Sequence, residues 1–226
     1  MGTADLEILY EDNHLLAVNK PAGLPTMGVA ADELSLFVLA RQYIKRRMNK
    51  PGNVYLGIMS RLDAASSGVV LLARTSKAAA RLTDQFRTRA VEKTYWAIVA
   101  GAVQPTSGEM VDWLRKNEAK GRMEIVAANQ PGAKEARLSY RRVRRVDDGS
   151  LVEIELHSGR KHQIRVQFGA RGWPVWGEPK YGHAPPFAEG IALHARRLVV
   201  EHPVRKKRIE FVAPLPQAWL ELGIDE

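Results

Sequence analysis

Short apolar runs, bounded by turn-forming residues, recur along most of this chain. Residues 69–73 contain only Val, Leu and Ala, and residues 95–99 carry no charge; such runs are typical of strands buried on both faces. Residues 151–156 alternate apolar and polar positions, which predicts another strand. Further predicted elements are strands at residues 6–10 and 15–18, a series of short strands at 103–130, and a final hairpin at 193–214.

Three segments repeat apolar side chains at helical spacing. They are residues 34–47, residues 76–88 and residues 161–171, and Thr75 stands where the second helix needs an N-cap. Strands nevertheless dominate, and strand–helix alternation is irregular. We therefore predict an α+β fold with a mixed, largely antiparallel central sheet flanked by a few helices.

Composition narrows the class of protein. The 226 residues carry a formal net charge of +9, which favours a polyanionic partner but also occurs in basic proteins that bind none. The absence of cysteine excludes disulfides, thiolate zinc sites and cysteine nucleophiles. Residues 1–19 contain four acidic residues and no long apolar run, so we expect a soluble cytoplasmic protein. The length suits one large domain or two small lobes with a common core.

The first candidate catalytic segment is residues 60–63. Its last residue, Asp63, lies in a polar loop that leads into the predicted buried strand at residues 69–73. Functional side chains are often presented on loops of this kind. Taken alone, however, an aspartate that caps a turn remains the simpler interpretation.

The second candidate segment is residues 159–165, which concentrates positive charge. Arg160, Lys161, His162 and Arg165 lie within these seven positions. Cations at the start of a helix oppose its macrodipole, so the cluster predicts a nearby anion. The alternative is an ordinary solvated basic face.

Two further residues are candidates on weaker grounds. Tyr95 opens a predicted buried strand, where a core tyrosine with a satisfied hydroxyl is the common case. Lys20 lies in a turn at residues 19–24. Hydrolase elbows, phosphate-cradling glycine loops and dinucleotide fingerprints are absent from the sequence, and the histidines lack metal-ligand spacing. A two-carboxylate glycosidase stays open, because spatial pairs are invisible in a sequence.

Taken together and in order, these segments resemble the RluA-type family of RNA pseudouridine synthases. Each segment is weak alone, but their joint order from about residue 6 to residue 216 is specific. The resemblance implies that family's catalytic core, with a cleft across the sheet. We expect one catalytic domain over residues 1–226, which two lobes sharing one sheet would also fit, without an S4 RNA-binding module. The matching segments are residues 10–12, 18–24, 61–63, 67–68, 92–97, 159–165, 172–174, 180–182, 193–195 and 213–216.

The resemblance implies a reaction and its catalytic residues. Uridine is converted to its C-glycoside isomer, so no redox step occurs and no cofactor is expected. Asp63 is implied as the essential carboxylate; attack on C1′, addition to C6 and removal of a C2′ proton all stay open. Arg165 is implied as the cation that keeps Asp63 ionised, and Tyr95 as a residue that stacks on uracil and helps to remove the C5 proton.

RNA binding is implied as well. Arg61 is expected to take the place of the extruded uridine in the base stack, and Ile164 to line the base pocket. Four basic clusters, at residues 45–47, 141–142, 144–145 and 205–208, are candidates for phosphate contacts, and we expect two of the four to touch RNA. The residues assigned to RNA or substrate binding are Lys20, Arg61, Arg160, Lys161, His162, Gln163 and Ile164.

The sequence departs from the family's pattern at four positions. Ser60 stands where His is usual, Ser66 where Thr is usual, Gln167 where His is frequent, and Glu178 where Asp is preferred. None removes a group that the reaction requires, but they leave the RNA target open between ribosomal and transfer RNA. We expect a monomer. Two alternatives are a non-catalytic RNA-binding or RNA-folding protein on the same scaffold and an unrelated carboxylate-dependent hydrolase.

Overall fold

The computed structural model describes residues 6–28, 34–49 and 52–225. Residues 1–19, whose composition favours a soluble cytoplasmic protein, are therefore described only from residue 6 onward. The chain forms two compact units. The first comprises residues 1–91 and 195–216, and the second comprises residues 92–194 and 217–226. Strands dominate both units, and the predicted α+β class with a largely antiparallel sheet is confirmed.

The strands and helices have the following bounds. The strands are β1 (Glu7–Glu11), β2 (Leu15–Lys20), β3 (Gly57–Ile58), β4 (Ser67–Ala73), β5 (Glu92–Ala100), β6 (Ser107–Asn117), β7 (Arg122–Val126), β8 (Lys134–Val146), β9 (Gly149–Leu156), β10 (Leu193–Glu201) and β11 (Arg208–Val212). The helices are α1 (Leu36–Arg47), α2 (Ser76–Arg87), α3 (Gln163–Gly169) and α4 (Gln217–Leu220).

The first unit buries both faces of its sheet. Its strand order is β1-β2-β4-β10, with β3 paired to β4 and β11 to β10. Leu15 and Leu71 pack on the face that α2 covers, whereas Leu16 and Leu72 pack on the opposite face against α1. Full burial of one such side chain contributes about 1.5–3 kcal/mol. The expectation of a strand buried on both faces is therefore confirmed, and β4 gives the preceding loop a rigid base.

Local capping fixes the two longer helices. The Thr75 hydroxyl accepts a hydrogen bond from the backbone N–H of Ala78 at the start of α2, at 3.2 Å, as the sequence predicts. Ser35 does the same for Val38 in α1, at 3.4 Å. N-caps of this kind contribute about 1 kcal/mol each. Among the helices of the described residues, none combines the length and the apolar character that crossing a bilayer requires.

The second unit is an antiparallel sheet with strand order β5-β9-β8-β6-β7. Leu114 and Ala136, on neighbouring strands, pack against Val166 of α3. The prediction of several short strands at residues 103–130 is wrong, because β6 and β7 instead form one long hairpin. The sequence does not signal β6, because the face that buries Met110 and Leu114 carries few apolar residues.

The third helix is shorter than predicted. It begins at Gln163 and not at Lys161, since His162 adopts a left-handed backbone conformation with φ 54° and ψ 22°. A left-handed residue cannot continue a right-handed helix. Lys161 and Arg165 therefore do not share a helical face, and the prediction that cations occupy the start of this helix is wrong.

Candidate active site

Asp63 lies in the loop between β3 and β4, residues 59–66, as the sequence predicts. A second loop, residues 21–26, holds this one in place. The Thr26 hydroxyl donates a hydrogen bond to the carbonyl oxygen of Leu62 at 2.8 Å and accepts one from the backbone N–H of Leu62 at 3.1 Å. The backbone N–H of Gly23 donates to the carbonyl oxygen of Ala64 at 2.8 Å. The backbone on both sides of Asp63 is thus fixed from one direction.

The ammonium group of Lys20 connects the same two loops through hydrogen bonds. Its side chain has no exposed surface, and the ammonium group donates to the carbonyl oxygens of Pro21, Leu24 and Ala64 at 2.8, 2.7 and 3.2 Å. Burial lowers the pKa of Lys20 to about 8, while the negative charge of Asp63 acts in the opposite direction. The burial places Lys20 inside the loop pair and not on a surface that RNA can reach.

The two residues that precede Leu62 have different surroundings. The Ser60 hydroxyl accepts a hydrogen bond from the backbone N–H of Leu71 at 3.0 Å. Ser60, which stands where the family usually has His, thus attaches its loop to β4. Arg61 is exposed. Of the predicted RNA-binding residues in this unit, Arg61 is accessible and Lys20 is not.

In the second unit, Arg165 is buried and pairs with Glu178. The guanidinium Nε and NH2 groups donate to the two carboxylate oxygens at 2.6 and 2.8 Å, and both side chains are at most 5% exposed. The guanidinium carbon also lies 5.4 Å from the centre of the Tyr181 ring. Bidentate geometry of this kind gives both strength and a fixed orientation.

The residues before Arg165 hold the turn that leads into α3. The Gln163 side chain, 3% exposed, accepts hydrogen bonds from the Ser158 hydroxyl and the Arg160 backbone N–H at 2.8 and 3.0 Å. The Arg160 guanidinium donates to the carbonyl oxygen of Glu135 at 2.8 Å. Ile164 is buried, whereas Lys161 is exposed. Lys161 is thus the most accessible of these predicted RNA-binding residues.

Tyr95 lies inside β5, three residues after its start, and pairs with Ile154 of β9. Its side chain is half-buried. The prediction that it opens the strand is wrong, because β5 begins at Glu92. The pleat that directs Tyr95 to one face directs its neighbour Trp96 to the other, where the indole N–H donates to Glu153 at 3.3 Å.

The chain is similar in sequence to known proteins of one family. The family model for RNA pseudouridylate synthase matches residues 14–170. The chain belongs to this family. Ribosomal large subunit pseudouridine synthase D of Zymomonas mobilis is 33% identical to it over 223 residues, which is 94% of this chain and 70% of that synthase. The synthase D of Pseudomonas aeruginosa is 34% identical, over 96% of this chain and 71% of the relative.

A solved structure agrees with the sequence relatives. Human RNA pseudouridylate synthase domain containing 4 matches with a TM-score of 0.80 and 26% identity, over 97% of this chain and 94% of the human chain. The predicted family and its catalytic-core fold are therefore confirmed. As an RNA pseudouridylate synthase, the protein is an isomerase that acts on RNA.

Within this synthase fold, sequence reasoning missed two supporting residues. Thr26 belongs to no motif, and its partner Leu62 lies 36 positions away. Tyr181 lies in a segment that contributes to the resemblance, but its contact with Arg165 has no local signal. In the sequence, Glu178 stands out only as a departure from the family pattern; its pairing with Arg165 gives that position a physical role.

Proposed function

We propose that this protein converts uridine to pseudouridine in RNA of the large ribosomal subunit, with Asp63 as its nucleophile. The observation that carries the RNA target is the similarity to synthases named for the ribosomal large subunit, over 94–96% of this chain. The proposal for Asp63 rests on the family motif and on its loop, in which Thr26 and Lys20 hold the residues directly before and after Asp63.

The proposed reaction moves one bond and one proton. The N1–C1′ bond breaks, the base turns and C5 bonds to C1′; the C5 proton is then removed and N1 gains one, so nothing is oxidised or lost. An ionised Asp63 in a partly dry pocket needs nearby positive charge. The buried ammonium group of Lys20, whose charge interacts with Asp63, supplies one such charge.

We propose that Arg165 and Tyr95 act in the same reaction. Arg165 supports the ionised form of Asp63, and Tyr95 stacks on the uracil and assists removal of the C5 proton. The motif order supports both roles. The bidentate pair with Glu178 supports the role of Arg165 further, because it fixes the guanidinium before substrate binds. A preorganised charge needs no reorganisation during the reaction.

Arg61 is proposed to replace the extruded uridine in the RNA stack. Uridine that is stacked in a helix is out of reach until it is flipped, which costs a few kcal/mol. Arg61 is exposed two positions before Asp63. A planar guanidinium offers a suitable stacking surface for the vacated position.

Two of the four basic clusters are proposed to contact RNA phosphates, and both lie in the first unit. Arg47 at the end of α1 lies 3.7 Å from Glu11, and Arg205 in the β10–β11 turn lies 3.4 Å from Asp12. Glu11 and Asp12 are adjacent, so both clusters lie near the end of β1. The side chains of Arg47 and Arg205 are 64% and 61% exposed.

The other two clusters are engaged within the second unit. Arg141 pairs with Glu153 at 2.8 Å, and Arg142 donates to the carbonyl oxygen of Val103 at 3.2 Å. Arg144 and Arg145 likewise donate to backbone carbonyls. All four arginines of these clusters would have to exchange a contact for phosphate. In the first unit's clusters, Lys45, Arg46 and Lys207 are exposed beside the two paired arginines, which makes the second unit's clusters the weaker choice.

The test is pseudouridine mapping across total RNA from cells with and without the gene, with Asp63→Asn as the key variant. We expect sites in large-subunit ribosomal RNA that vanish without the gene and are not restored by Asp63→Asn. Asp84→Asn, an exposed residue on α2, is the matched control and should restore them. Sites restored by Asp63→Asn would contradict the proposal that Asp63 is the nucleophile. Gene-dependent sites confined to transfer RNA would contradict the proposal that ribosomal RNA is the target. A growth defect that Asp63→Ala rescues, with no gene-dependent sites, would favour a non-catalytic RNA-binding protein.

A further inference from the structure

Arg165 is held on two sides by a single short segment of the second unit. Glu178 takes the Nε and NH2 groups in a bidentate ion pair at 2.6 and 2.8 Å. Tyr181, three residues later, places its ring centre 5.4 Å from the guanidinium carbon. The carboxylate fixes the guanidinium edge, and the ring covers one of its faces. Together they leave the side chain little freedom to rotate.

Tyr181 is itself anchored through its hydroxyl group. The oxygen accepts a hydrogen bond from the backbone N–H of Met123 in β7 at 3.0 Å. It also forms a 2.6 Å hydrogen bond with Nδ1 of His162. The rings of His162 and Tyr181 meet nearly at right angles, with their centres 5.6 Å apart. Three separate contacts therefore set the position of the ring that covers Arg165.

His162 makes its contact from a strained backbone. Its φ of 54° lies in the left-handed region, which is unfavourable for a residue with a Cβ atom. The strain and the short hydrogen bond to Tyr181 occur at one residue, directly before the helix that carries Arg165. Strained conformations persist only where surrounding contacts over-determine them, and they cluster at functional sites.

We infer that Tyr181 is a positioning residue for Arg165, and that His162 holds Tyr181 in place. The inference rests on the proposed role of Arg165 in pseudouridine formation. It assigns no substrate contact to Tyr181: the ring and hydroxyl act through the guanidinium, so their loss should lower kcat and leave the KM for RNA nearly unchanged.

A double-mutant cycle on kcat separates positioning from a structural role. Tyr181→Phe keeps the ring and loses the hydroxyl contacts, and we expect kcat to fall by about fivefold. Tyr181→Leu loses the ring as well, and we expect a fall of about tenfold to thirtyfold. In an Arg165→Lys background, where the planar group is absent, each change should lower kcat by no more than about twofold.

Controls keep the outcomes distinct. Tyr140→Phe removes another tyrosine hydroxyl of this unit, 3.4 Å from the carbonyl oxygen of Pro105, and should leave kcat unchanged. Thermal melts identify unfolded variants, and if Tyr181→Leu fails to fold, the cycle is run with Tyr181→Phe. Losses that multiply in the Arg165→Lys background would overturn the positioning role alone. A wild-type protein that forms no pseudouridine in any RNA would overturn the proposed function, and this inference with it.

Discussion

Thr26→Val should impair catalysis without touching any residue proposed to meet the substrate. Valine has nearly the shape of threonine but lacks the hydroxyl group. In the native protein that hydroxyl binds both the carbonyl oxygen and the N–H of Leu62, at 2.8 and 3.1 Å. The substitution therefore releases the backbone one residue before Asp63.

The expected loss follows from these two bonds. Thr26 is 3% exposed and Leu62 is half-buried, so water replaces the lost hydroxyl poorly. Each backbone group left without a partner costs about 1–2 kcal/mol, which gives a total of roughly 2–4 kcal/mol. For a chain of this length that lowers the melting temperature by about 4–16 °C. A displacement of Asp63 by about 1 Å lowers kcat by up to roughly a hundredfold.

The assay compares melting temperature and kcat on the same RNA for Thr26→Val and for Thr88→Val. The control removes an exposed hydroxyl that donates to the carbonyl oxygen of Asp84 at 2.9 Å, and it should change the melting temperature by less than about 2 °C. Thr26→Val is expected to lower both quantities while KM stays within about twofold. A destabilised variant with full kcat would refute the argument that this pair of hydrogen bonds positions Asp63.

Three further predictions concern charge. Arg165→Ala should destabilise the protein by about 3–5 kcal/mol in denaturant unfolding and abolish activity, since it removes the guanidinium that pairs with buried Glu178. Burial acts to raise the pKa of Asp12, but hydrogen bonds outweigh it and lower that pKa from 3.8 to about 2. The resulting stabilisation of about 2 kcal/mol is full above pH 3.8 and is lost as the pH falls through 2. Asp12→Asn should therefore flatten the dependence of the free energy of unfolding on pH across this range, measured by urea unfolding. The double variant Lys45→Ala with Arg46→Ala should reduce the slope of log affinity for RNA against log salt by roughly 1.5, and an unchanged slope would exclude phosphate contacts by the cluster at residues 45–47.

Sequence alone predicts those parts of the fold whose cause is local. The apolar run in β4 is readable because both faces of that strand are buried. The start of α2 is readable because Thr75 caps a backbone group three residues away. Asp63 and Arg165 are recognisable through motifs whose joint order is specific, although each motif alone has a simpler interpretation.

Features that depend on contacts between residues far apart in the chain cannot be predicted from local sequence patterns. His162 leaves the helical conformation while bonded to Tyr181, 19 positions further on, and no residue nearby signals the break. The resemblance implies that Lys20 binds RNA or substrate, but its side chain is buried. Lysine is seldom fully buried, and here three carbonyl oxygens compensate the ammonium group, which no local pattern signals. Glu178 differs from the family preference, and only its pairing with Arg165 explains why an acid is needed there.

The anchors of the Asp63 loop also have a kinetic consequence. They join residues 36 and 44 positions apart, so the loop acquires its shape only after β2 and β4 have found their register, which ends at the pair of Lys20 with Gly68. Contacts formed after the transition state speed unfolding when they are removed and leave the folding rate unchanged. The loop should accordingly be a late-forming element, ordered last during folding and opened first when the native state fluctuates.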